Sequence, residues 1–132
     1  MMRFRVCAVL GIFALATAGF AQSPGDTPIS GRDIKPLIEG RRIYLKVPAG
    51  GEFPLYYRPG GVVDGTGKAA GLGVFARVSD EGKWWVSGDQ LCQQWQTYEN
   101  GKRFCFRLYQ RDDGQLFWHR DDGLKGLARI GS

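Results

Sequence analysis

Hydrophobic and polar residues alternate along most of this chain after Gly40, in short runs rich in Val, Phe, Tyr and Trp. A period of two residues is typical of β-strands with one buried face. The pattern predicts eight strands, at residues 41–47, 52–58, 72–78, 83–87, 90–95, 103–110, 115–120 and 124–130. Pairs that favour tight turns separate several of them, at Glu81-Gly82, Asn100-Gly101, Asp113-Gly114 and Asp122-Gly123.

One helix is predicted ahead of the strands, over residues 30–40 (SGRDIKPLIEG). Asp33 is placed to cap it, Pro36 is tolerated in its first turn, and Gly40 is placed to end it. Its apolar side chains share one face, which predicts packing against a sheet: Ile34, Leu37 and Ile38.

Closely spaced turns make sequence neighbours antiparallel neighbours in space, so the predicted fold is mainly β, an antiparallel meander of about eight strands. Such a meander has to close or fold over to protect its edges. We therefore expect a small barrel with the short helix at one end, and a two-sheet sandwich as the alternative. Residues 30–132 form this single domain, 22–29 a flexible lead-in, and 60–73 a Gly-rich loop.

The first 21 residues have the parts of a signal peptide. Arg3 and Arg5 supply a positive start, residues 6–20 carry no charge, and small residues precede a cleavage site between Ala21 and Gln22. The apolar run is shorter than the roughly 20 residues needed to span a bilayer. The prediction is export to the periplasm or the medium, with no membrane span after cleavage.

Cleavage leaves 111 residues, with 16 basic and 13 acidic side chains and a formal net charge of +3. The charges of both signs are interspersed along the chain. A nucleic-acid-binding protein would concentrate its basic residues in a dense patch. The sequence therefore predicts no nucleic-acid partner and leaves an envelope glycan or protein as the expected kind of partner.

Cys92 and Cys105 remain after Cys7 leaves with the signal peptide, and an oxidising compartment favours a disulfide between them. A two-residue turn at Asn100-Gly101 would separate the cysteines by about four residues, beyond the roughly 7 Å limit between Cα atoms. A six-residue loop, 96–101, pairs them directly. We predict the longer loop, because two unpaired thiols are less expected in an exported protein. The bridge would lie on the face opposite the apolar residues of both strands.

Two motifs with possible chemistry are better explained as loops and turns. Residues 65–70 match a Gly-x-Gly-x-x-Ala dinucleotide fingerprint, but strand-like sequence follows where that motif needs a helix. Arg-Asp-Asp-Gly occurs at 111–114 and 120–123, and its carboxylates could bind Ca²⁺, yet the spacing fits no calcium loop. Hairpin turns are the preferred interpretation, with no metal and no cofactor.

His119 is the only histidine of the chain. A catalytic His–Asp dyad would need a nucleophile, and no Ser lies in a recognisable nucleophile elbow. One histidine and two disulfide-bonded cysteines cannot make a zinc site. The sequence therefore predicts no catalytic residue and a protein that is not an enzyme.

Aromatic doublets are the most suggestive feature: Tyr56-Tyr57, Trp84-Trp85 and Phe117-Trp118. Adjacent residues of a strand face opposite ways, so one ring of each doublet fills the core and the other is displayed. The candidate binding surface consists of Tyr57, Trp85, Phe117, His119 and Arg107. Exposed rings among arginines suit a sugar or a protein interface. The alternative is that the helix and the Gly-rich loop cover these rings.

The layout resembles a group of small exported β-proteins of proteobacteria. The matching pieces are the 30–40 segment, Gly82-Lys-Trp84, and the run from Gly88 to Trp95 followed by Cys105-Phe. The resemblance implies an oxidised cysteine pair and a barrel-like domain, and it carries no activity to transfer.

The sequence thus predicts a non-enzymatic exported binding module that contacts an envelope component through aromatic and arginine side chains. A periplasmic enzyme inhibitor, similar to small β-barrel lysozyme inhibitors, is one alternative. A carrier that holds a small ligand inside the barrel is the other, and a concave, unfilled interior would favour it.

Overall fold

Nine strands and one helix follow one another in the computed structural model, which describes residues 21–23, 25–48, 50–69 and 76–131. Their order is β1 (Thr27–Pro28), α1 (Gly31–Ile38), β2 (Arg41–Lys46), β3 (Glu52–Tyr57), β4 (Val62–Ala69), β5 (Ala76–Ser87), β6 (Gln90–Trp95), a 3-10 turn (Tyr98–Gly101), β7 (Arg103–Gln110), β8 (Leu116–Arg120) and β9 (Lys125–Ile130).

Strands β2 to β9 form a closed antiparallel barrel. Each strand pairs with its neighbours in sequence, and β9 pairs with β2 through Ile43↔Ile130 and Leu45↔Ala128. The predicted barrel is confirmed and the sandwich is not. Closure leaves the barrel without the exposed edges that an open meander would present.

The short strand β1 is an addition to this barrel. Pro28 pairs with Tyr109 at the end of β7, beyond the last residues that β6 reaches. The Arg111 side chain also donates to the carbonyl oxygen of Ala21 and, at 3.2 Å, to Asp26. The described part of the expected lead-in therefore contacts the barrel through β1 and Arg111.

Two strand boundaries differ from the sequence prediction. Strand β4 lies inside the segment 60–73 that was expected to be a loop, and β5 runs without a break through the expected turn at Glu81-Gly82. Gly82 has a different reason to be glycine, because a Cβ there would overlap the Gln94 carbonyl oxygen of β6. The prediction omits β4 and divides β5 into two strands, so the predicted number of barrel strands is still eight.

Helix α1 closes one end of the barrel. It begins at Gly31, two residues before Asp33, so the prediction that Asp33 caps it is wrong. The Gly31 N–H instead donates to the Asp89 carboxylate in the β5–β6 turn, at 2.8 Å. A Cβ at Gly31 would overlap the Gly88 carbonyl oxygen, so only glycine allows this approach. Ile34 and Ile38 are fully buried, as predicted.

The disulfide joins Cys92 to Cys105 across β6 and β7. The two residues are direct partners in the ladder, which confirms the predicted register and the longer loop. Leu91 and Trp95 of β6 face the barrel interior, so Cys92 faces outwards, as predicted.

Candidate functional site: a cavity inside the barrel

A cavity of about 310 Å³ lies inside the barrel. Its wall is apolar for the most part, with side chains from α1 and from six of the barrel strands: Ile38, Ile43, Leu45, Phe53, Leu55, Tyr57, Leu91, Trp95, Phe106, Leu108, Leu116, Trp118 and Ala128. An eight-stranded barrel is wide enough either to be filled by side chains or to hold one small ligand. The interior of this barrel is not completely filled by side chains.

Small residues at inward positions help to keep the space open. Gly65 of β4 lines the cavity, and a Cβ there would come within 3.1 Å of both Leu55 and Phe53. Ala128 of β9 lines it as well. Gly126 allows the Trp118 ring to lie flat against β9, because a Cβ at Gly126 would overlap that ring. Glycine or alanine at these positions therefore leaves space that a larger side chain would take up.

A polar pair is built into this apolar wall. Gln93 is 6% exposed and Tyr57 is 4% exposed, and the Tyr57 hydroxyl donates to the Gln93 side-chain carbonyl at 2.8 Å. Burial raises the pKa of Tyr57 well above its usual range, so the hydroxyl stays protonated and remains a donor. Both residues line the cavity.

The Trp118 indole supplies a second polar group. Its Nε1 atom is buried and has no hydrogen-bond partner among the described residues. The ring is held edge-to-face with Phe106, with centroids 5.6 Å apart. A buried N–H without a partner is costly, and such groups often mark functional positions.

The cavity reaches the surface at the end opposite α1. Tyr98 and Leu124 line it there, and they are 44% and 49% exposed, the two exposed large hydrophobic residues of the described chain. Apolar side chains at a barrel mouth give a ligand a favourable first contact before it enters the interior.

Arg120 lies at the same mouth, and its guanidinium is paired with the Asp122 carboxylate. Its guanidinium makes two hydrogen bonds to Asp122, at 2.8 and 2.6 Å, and donates to the Tyr98 hydroxyl at 3.1 Å. It also lies 4.0 Å from the Phe104 ring centroid. The bond from Arg120 lowers the pKa of Asp122 to about 2 and raises the pKa of Arg120 itself.

Asp80 fixes the loop that carries Tyr98. Its carboxylate accepts the backbone N–H groups of Thr97 and Tyr98, the latter at 2.8 Å. Two residues of the loop, Glu99 and Asn100, have positive φ angles of 49° and 55°, which is unusual for non-glycine residues. This anchoring makes Tyr98 a fixed part of the mouth.

Two of the five residues predicted as a binding surface are buried. Tyr57 faces the cavity rather than the outside. Phe117 lies on the outer face but is 1% exposed, with Tyr109 and the Arg111 guanidinium against its ring. The expected exposure of these two rings is therefore wrong.

The other three share the outer face. Trp85 is half-buried and pairs with Cys92, while Arg107 is the direct partner of His119 across β7 and β8. The second cross-strand neighbour of His119 is Lys125, so cationic side chains flank it on both sides. The arrangement does not place a nucleophile opposite the histidine.

The repeated Arg-Asp-Asp-Gly segments form turns, as the sequence predicts. Asp113 accepts the Gln115 N–H at 2.9 Å, and this bond lowers the pKa of Asp113. Asp122 accepts the Leu124 N–H at 3.2 Å in the same way. In the described ranges, no group of three or more His, Cys, Asp or Glu side chains is arranged to hold a metal ion.

The sequence prediction did not include Gln93, nor the mouth residues Tyr98 and Leu124, and of these Gln93 has a signal in the sequence. It lies between Leu91 and Trp95, at the inward parity of β6, where an amide interrupts an apolar series. Tyr57 shares the parity of Phe53 and Leu55 in the same manner. A polar side chain at an inward strand position was the available signal for both.

Comparison with protein-family models, with curated proteins and with solved structures finds no match to this chain. No helix of the described ranges has the length and apolar character required to cross a membrane.

Proposed function

We propose that this protein is a non-enzymatic exported carrier that binds a small apolar molecule inside its barrel. The observation that supports the proposal is the 310 Å³ cavity, closed by α1 at one end and reaching the surface at Tyr98 and Leu124. Ligand sites are typically concave and mostly apolar, with a few polar groups that fix orientation. The Gln93–Tyr57 pair fits that description.

The size of the cavity limits the ligand. A cavity of about 310 Å³ is at the small end of the range of roughly 300–1,000 Å³ that is typical of ligand pockets. A compact organic molecule is the expected occupant. Long acyl chains and oligosaccharides are too large to be enclosed.

Surface binding ranks below this proposal. The candidate surface has lost Tyr57 and Phe117 to burial, which leaves Trp85, Arg107 and His119 on the outer face. A cavity with a built polar pair is a more specific feature than one half-buried ring beside two cationic neighbours.

Calorimetric titration of the mature chain with cumene tests the proposal. Ala128→Phe places a ring in the cavity, and it should lower the affinity for cumene at least tenfold. Thr66→Phe adds the same ring at an exposed position of β4 and should leave the affinity unchanged. Binding should show a negative heat-capacity change. Equal affinities in all three proteins would contradict the proposal.

A further inference from the structure

We infer that the cavity selects a neutral ligand carrying a hydrogen-bond acceptor oxygen, such as a ketone, an ester or an ether, and that the Gln93 amide N–H binds this oxygen. The inference rests on the proposed function and names the chemical class of the ligand.

The first observation is the free donor on Gln93. Its side-chain carbonyl accepts from Tyr57, which fixes the amide group in the wall. The amide nitrogen carries two N–H groups, and no atom of the described residues accepts a hydrogen bond from it. Because Gln93 is 6% exposed and lines the cavity, this donor lies in the mostly apolar wall of the chamber.

The second observation is that the other unpartnered polar atom of the wall, the Trp118 Nε1, is also a donor. It lies close to Gly126 of β9, and no described residue accepts its hydrogen. The free N–H groups of this wall therefore favour a ligand oxygen that accepts a hydrogen bond over a ligand group that donates one.

The third observation concerns formal charge. The charged residues lining the cavity are Asp80 and Arg120, and both lie at the mouth. Asp80 is engaged by the N–H groups of the Tyr98 loop, and Arg120 by both oxygens of Asp122. An anionic ligand would enter without a free cationic partner, and burying an unpaired carboxylate is strongly unfavourable. The expected ligand is therefore uncharged.

Three probes of matched size test whether the cavity prefers an acceptor oxygen and an uncharged ligand: cumene, acetophenone and benzoate. Acetophenone has the shape of cumene with a carbonyl oxygen in place of a methyl group, and benzoate adds a negative charge. The measured quantity is the ratio of the acetophenone affinity to the cumene affinity, obtained by calorimetry. It is compared between the wild type and the double variant Tyr57→Phe/Gln93→Leu.

The double variant removes both members of the buried pair, so neither is left unpartnered and the fold is retained. We expect the affinity ratio to fall about threefold to tenfold, the effect of one hydrogen bond, while cumene still binds. Gln90→Leu is the matched control, because it makes the same change on the outer face of β6 and should leave the ratio unchanged.

The outcomes distinguish the inference from the function on which it rests. If cumene and acetophenone both fail to bind, the carrier function itself is contradicted. If both bind and the ratio is the same in the double variant, the role of Gln93 is wrong while the carrier function stands. Tighter binding of benzoate than of acetophenone at neutral pH would overturn the neutrality of the ligand.

Discussion

Removal of the disulfide should lower the free energy of unfolding by an amount that depends on the length of the loop it closes. Cys92 and Cys105 are 13 residues apart in sequence and direct partners across β6 and β7. The double variant Cys92→Ala/Cys105→Ala opens the loop that contains the Tyr98–Gly101 turn. Alanine suits both positions because Cys92 is only 1% exposed and a polar replacement would be buried there.

The expected loss is about 3 kcal/mol in the free energy of unfolding, since closing a loop of about 14 residues restricts the unfolded chain by that amount. A domain of this length unfolds with an entropy of about 0.2 kcal/mol per kelvin. The variant should therefore melt about 10–15 °C below the oxidised wild type.

Urea and thermal unfolding followed by tryptophan fluorescence measure the difference. Wild type treated with a reductant under denaturing conditions and refolded serves as the control and should match the variant. Thiol titration of the denatured wild type without reductant should detect no free cysteine. A variant within about 1 kcal/mol of the oxidised wild type would refute the loop-entropy reasoning.

Three further predictions follow from the packing and the ion pairs. Ile34→Ala removes a fully buried side chain of α1 and should cost about 2–5 kcal/mol, measured by urea unfolding. Gly126→Ala forces the Trp118 ring away from β9, which should shift tryptophan emission and destabilise the barrel by about 1–3 kcal/mol. The pKa of Asp122 is held at about 2 by Arg120, so its stabilising contribution is present above about pH 4 and is lost as the pH falls towards 2. Asp122→Asn should therefore be less stable than wild type at neutral pH and approach it in stability at pH 2, as acid unfolding curves will show.

The pairing of Cys92 with Cys105 is a part of the fold that the sequence predicts correctly. Two registers kept the same apolar faces, and only the geometric limit on a disulfide distinguished them. The structure has the pairing which that limit required, with Cys92 opposite Cys105. A covalent constraint thus resolved an ambiguity that hydrophobic periodicity could not.

Strand β4 shows where periodicity fails. Its sequence, VVDGTGKA, has glycines at alternate positions and resembles a loop. In the barrel it is held by β3 and β5 on either side, and inward-facing Gly65 leaves room for the side chains around it. Tertiary pairing therefore overrides local propensity, and a single chain carries no signal of that pairing.

The aromatic doublets show the same limit at the candidate site. The predicted alternation is confirmed at Trp84, which is inside, and Trp85, which is outside. The prediction that Tyr57 is displayed on the outer face is wrong, and Leu55, two residues earlier, is buried and shares its parity. Phe117 is covered by Tyr109 of β7 and by Arg111, which lies outside its strand, and these contacts have no local signature.

The cavity depends on the combined size of all the inward-facing side chains, so no single position in the sequence predicts it. Several aromatic rings enter the barrel, yet glycine and alanine at Gly65, Gly126 and Ala128 take up little of the remaining space. Helix α1 closes one end with two buried isoleucines, and the cavity reaches the surface at the end with Tyr98 and Leu124. Hydrogen bonds from the Tyr98 N–H to Asp80 and from Arg120 to the Tyr98 hydroxyl join the loop to β5 and β8 at that end, so the cavity and its entrance belong to the same structural unit.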